Sequence, residues 1–71
     1  MKRIKVESSS IESIGYDRSE LVLEVEFTRG VIYQYVNVYP DEVIDLIFAE
    51  SVGKSLALGI KKRKSFKQVS E

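Results

Sequence analysis

The chain has no cysteine, no histidine and no tryptophan, and only one proline. Each absence removes a class of chemistry. Without cysteine there is neither a disulfide nor a thiolate nucleophile. Without histidine the usual general base near neutral pH is missing, and so is the commonest metal ligand. No apolar run approaches the ~20 residues that span a bilayer. The opening MKRIKVESSS carries bases, but no apolar run of about 7 to 15 residues follows them, so it does not match a signal peptide. The expectation is a small cytoplasmic protein with no membrane partner, no metal and no cofactor.

What remains is enough for one folded domain over residues 1–71, with 44% apolar residues and seven aromatics. So short a chain has a thin core. The formal net charge of zero conceals a segregation. Residues 1–5 hold three bases, residues 6–53 hold ten acids against Arg18 and Arg29, and residues 54–67 hold six bases and no acid. Such asymmetry fits an anion-binding tail, or an internal complement of basic and acidic segments.

The hydrophobic pattern places the elements. Ile11, Ile14 and Tyr16 mark a first strand that ends at the turn residues Asp17-Arg18-Ser19-Glu20. Leu21, Leu23, Val25 and Phe27 alternate with Val22, Glu24, Glu26 and Thr28, the period of a half-buried strand. VIYQYVNV, residues 31–38, resumes as a third strand after Thr28-Arg29-Gly30. A two-residue Arg29-Gly30 loop requires positive φ at Arg29 and buries Gln34 opposite Val25. A three-residue loop needs positive φ only at Gly30, and sets Val25 opposite Tyr33 and Leu23 opposite Tyr35. The second register violates fewer rules, and it turns both tyrosines toward the core. PDEVIDLIFAE predicts a helix from Pro40, with Asp41 and Glu42 complementing its dipole. Ser51 caps a second predicted helix, SVGKSLALGIKKR, weakened by Gly53 and Gly59. The tail around Phe66 offers a short edge strand. The fold expected is α+β: a three-stranded antiparallel meander, two helices on one face, and room for a short fourth strand at the C-terminus.

Few motifs carry chemistry. Gly53-Lys54-Ser55 resembles the end of a phosphate-binding loop, but Phe48 stands where that loop needs its first glycine. Glu24 and Glu26 share a strand face, which alternation fills with solvated polar residues without any catalytic role. No enzyme is expected. IKKRKSFKQ gathers Lys61, Lys62, Arg63, Lys64 and Lys67 around Phe66. Bases interleaved with an aromatic suit RNA or another polyanion, with charges on phosphates and a ring on a base. The competing explanation is a helix C-terminus whose lysines are merely solvated. Tyr33 and Tyr35 would join the surface only if exposed.

SSSIESIGYD, LEVEFTRGVIYQY and SVGKS with a basic end together resemble the KTSC domain. The resemblance covers about residues 8–69, through Ser9, Ile14-Gly15-Tyr16-Asp17, Val25, Phe27, Gly30, Tyr33, Tyr35 and Ser51-Val52-Gly53. That family is named for its place at the C-terminus of some lysyl-tRNA synthetases, and it also occurs as small stand-alone bacterial proteins. Leu56, Ala57 and Leu58 stand where relatives often carry an aromatic-asparagine pair. The resemblance implies a domain without an established activity, for which RNA is the suggested ligand. The leading expectation is therefore a non-catalytic RNA- or polyanion-binding module. The alternative is a protein-interaction or homodimerisation module.

Overall fold

The structure, a computed structural model, describes residues 2–69. Its order is β1 (Arg3–Lys5), β2 (Ile11–Asp17), β3 (Val22–Phe27), β4 (Ile32–Tyr35), α1 (Pro40–Ile47), α2 (Val52–Leu58), α3 (Ile60–Arg63) and β5 (Phe66–Val69). The strands form one antiparallel sheet in chain order, β1-β2-β3-β4-β5. The architecture is thus α+β with five strands, which corrects the expected three with a short fourth. The added strand is β1, and it pairs Arg3 with Gly15 and Lys5 with Ser13.

Local chemistry explains the turns. Asp17 Oδ1 accepts hydrogen bonds from the Ser19 and Glu20 amides and from the Ser19 hydroxyl, and so closes the β2–β3 turn. Leu21 belongs to that turn, at φ 57°, and not to the strand that the alternation assigned it to. At the next turn the Gly30 amide donates to Phe27 O, and the Phe27 amide to Val31 O. Gly30 takes φ 98°, a region that costs an L-residue about 1–2 kcal/mol. This is the three-residue loop, and the register follows: Leu23 opposite Tyr35, Val25 opposite Tyr33, Glu24 opposite Gln34.

One sheet face is covered by the helices. Ile14, Leu23, Val25 and Tyr35 pack with Val43 and Leu46 of α1, Val52 and Leu56 of α2, and Ile60 of α3. Tyr39 has no favourable capping side chain, yet α1 still starts at Pro40, because Glu42 reaches back to accept from the Tyr39 amide at 2.9 Å. Ser51 Oγ caps α2 through the Lys54 amide. The single helix expected from residue 51 to 63 is broken at Gly59, which leaves helical geometry and starts the separate turn α3. Among the described residues, no helix is long and apolar enough to cross a membrane.

Tyr35 is fully buried, and its hydroxyl has no hydrogen-bond partner among the described residues. An unpaired buried hydroxyl costs about 1–3 kcal/mol. Tyr35→Phe is therefore expected to stabilise the fold by roughly 1 kcal/mol, read as a higher denaturation midpoint in urea. A lowered midpoint would mean that the hydroxyl is satisfied in solution.

Candidate functional site

The residues of the basic segment do not act together. Lys61 and Lys62 are both exposed on α3. Arg63 and Lys64 both turn to Glu42 on α1, at 3.3 and 3.2 Å, and Lys64 Nζ also donates to Asn37 O at 2.7 Å. Burial alone would raise the Glu42 carboxyl. The Tyr39 amide and Lys64, with Arg63 nearby, outweigh burial and hold it below the ordinary glutamate range. Phe66 opens β5 on the core side, half exposed at 50%. Lys67, one residue on, points to the opposite face, in register with Gln34. Tyr35 is buried and so outside any contact surface, whereas Tyr33 is half-buried.

The aromatic rings form a continuous strip. Tyr33 lies 5.4 Å from Phe27 and 4.6 Å from Phe66, between ring centroids. Arg29, absent from the sequence-based candidates, holds its guanidinium 5.6 Å from the Phe27 ring centre. Beside Phe27 a cavity of about 300 Å³ opens between Ser9, Ser10, Arg29, Gly53, Leu56 and Lys61. Three segments distant in sequence meet there: the serine triple, the hairpin turn and the start of α2. The one signal that could have found it is that all three lie in the stretches carrying the family resemblance, while Ser9, Ser10 and Arg29 are exposed and build no core.

The uncovered sheet face differs from its expected solvated character. Glu24 is only 6% exposed. Its carboxylate accepts from Gln34 Nε2 at 2.8 Å and pairs with Arg3, while Ser13 Oγ donates to Glu26 and accepts from Arg3. Neighbouring long side chains, not a helix, exclude water here. Burial pushes the Glu24 carboxyl up, but the hydrogen bonds from Gln34 and Arg3 and the charge of Arg3 win, leaving it below its ordinary value. Both carboxylates of this ladder are thus engaged by partners on neighbouring strands. Among the described residues, no three carboxylates cluster closely enough to hold a metal.

A depressed glutamate contributes stability above its unfolded-state value near 4.5, which is lost as pH falls through the lower folded value. Glu24→Gln is thus expected to destabilise the domain at neutral pH, with a penalty that shrinks below about pH 4.5. Urea titrations across that range check it. A penalty independent of pH would remove the charged pair from the account.

The KTSC domain profile matches residues 7–63. An uncharacterized protein of Stutzerimonas stutzeri is 46% identical over 54 residues, covering 76% of each chain. A lysine–tRNA ligase of Nostoc punctiforme is 34% identical over 67 residues, which is 94% of this chain and 12% of the ligase. The crystal structure of a KTSC domain protein from Yersinia pestis superposes with a TM-score of 0.91 at 33% identity, covering 97% of each chain.

Proposed function

The chain belongs to the KTSC domain family, and from that premise we propose that it is a non-catalytic binding module for RNA. The observation carrying this reading is the run of rings from Phe27 through Tyr33 to half-exposed Phe66, beside Arg29 and Lys61, which no carboxylate among the described residues neutralises. Among the described residues, Lys61, Lys62 and Arg29 have no ion-pair partner. Phosphates favour such cations, and bases stack on such rings. Arg63 and Lys64 are secondary in this reading, because Glu42 already holds them, and Lys67 serves the opposite face. The similarity to part of a lysine–tRNA ligase accords with an RNA partner, by association only. A catalytic role has no support in the residues that line the cavity.

A second reading, protein interaction or self-association, rests on a separate surface. Ile4, Ile44, Ile47 and Phe48 are exposed, Phe48 at 81%. A groove of about 310 Å³ between β1 and α1 includes Ile4, Val6 and Ile47. The charge attraction between copies is weaker than the sequence implied, since Glu24 and Glu42 already have intramolecular partners.

Affinity for single-stranded RNA is expected to fall steeply with added salt. Lys61→Gln and Lys62→Gln should each lower the slope of log K against log salt by about one. Phe66→Ala should weaken binding by about 1–3 kcal/mol, with the slope unchanged. Fluorescence anisotropy at several salt concentrations tests this, and the absence of salt-sensitive binding would sink the RNA reading. For the second reading, sedimentation at two protein concentrations should show association that Phe48→Ser abolishes. A monomer at both concentrations counts against self-association.

A further inference from the structure

We propose that the cavity beside Phe27 is a receptor for a nucleoside phosphate monoester. In a deepening that rests on the RNA reading, its natural occupant is the phosphorylated end of an RNA strand. Hydrogen bonds between the two loops set the walls. Thr28 donates its amide to Ser10 O at 3.0 Å, and its hydroxyl faces Ser9 O and Ser10 O at 3.3 and 3.4 Å. Ser8 Oγ accepts from the Ser10 and Ile11 amides. The loop backbone is thereby pinned, while the Ser9 and Ser10 hydroxyls have no hydrogen-bond partner among the described residues. Opposite them α2 comes in through Gly53, where an added Cβ would sit 2.5 Å from Ser10 Oγ.

The chemistry of the lining is asymmetric. Arg29 and Lys61 supply two positive charges and the serines supply hydroxyl donors, and among the described residues no acid lines the cavity. The remaining wall, Phe27, Leu56 and Ala57, is apolar. Two cations lining one small space favour a dianion. A phosphate monoester carries about −1.5 to −2 charges at pH 7, against about −1 for an internal phosphodiester. The apolar wall suits the flat face of a base. About 300 Å³ lies at the lower end of small-ligand sites, on the scale of a single nucleotide. Phe27 belongs both to this wall and to the ring strip, so a strand anchored here by its end continues over Tyr33 and Phe66.

Two measurements on the full chain test the inference. In amide-detected NMR, adenosine monophosphate should shift Ser9, Ser10, Thr28 and Gly53, and adenosine at equal concentration should not. In anisotropy, short single-stranded RNAs of one sequence would carry a 5′-phosphate, a 3′-phosphate, or hydroxyls at both ends. One phosphorylated end should bind about tenfold tighter than the hydroxyl form, the size of a charge-assisted contact. Arg29→Gln and Lys61→Gln should each abolish most of that preference, and Lys5→Gln, on the far sheet edge, should preserve it. Salt-sensitive RNA binding with no end preference and no nucleotide shifts overturns the cavity assignment and leaves the RNA reading standing. Nucleotide shifts without RNA binding support the cavity and overturn the RNA reading.

Discussion

The structure depends on the three-residue turn at Thr28-Arg29-Gly30. With Gly30 in the left-handed region, the other two residues keep ordinary backbone angles, and the β3–β4 register is fixed. A slip of one residue would put Gln34 opposite Val25 under the helices and expose the tyrosines. The core of Leu23, Val25 and Tyr35 and the polar ladder of Glu24 and Gln34 are thus two faces of one choice. The same turn carries Arg29 outward over Phe27 to the mouth of the cavity. Fold and site share a single backbone constraint.

Folding also redistributes charge. In sequence the acids fill the middle and the bases the ends. In space Arg3 reaches Glu24 and Glu26, Lys5 reaches Glu12, and Arg63 and Lys64 reach Glu42. The surface character follows from which bases find no acid, not from how many bases a segment holds. On that criterion Arg29, Lys61 and Lys62 keep their charge unpaired among the described residues, as do Lys2, Arg18, Lys54 and Lys67 elsewhere on the surface, and the sequence run around Phe66 is divided among three environments.

Features set by neighbouring residues were legible in the sequence. The strand from Ile11 to Asp17, the glycine turn, the start of α1 at Pro40 and the Ser51 cap all follow from local patterns. Features set by distant partners were not. Arg3-Ile4-Lys5 has one apolar residue between two charges, and becomes a strand only because the edge of β2 is there to pair with it. Gly59 marked a weak point worth about 1 kcal/mol, but whether a helix bends, frays or breaks there depends on how Ile60 docks. Glu24 looked solvated because alternation puts it on the uncovered face, and the side chains shielding it come from β1 and β4. The cavity has no local signature in the sequence for the same reason: Ser10, Arg29 and Gly53 become neighbours only in three dimensions.

Strand order that equals chain order has a kinetic meaning. The three turns joining β1 through β4 close short loops, at low entropic cost and early in folding. The β4–β5 pairing must instead close around all three helices. Phe66, held between Tyr33 and Tyr35 by that last pairing, is an edge residue on a late-forming strand. Of the two edge ladders, this one carries the larger loop-closure cost, so the ring strip is completed only after the meander has formed.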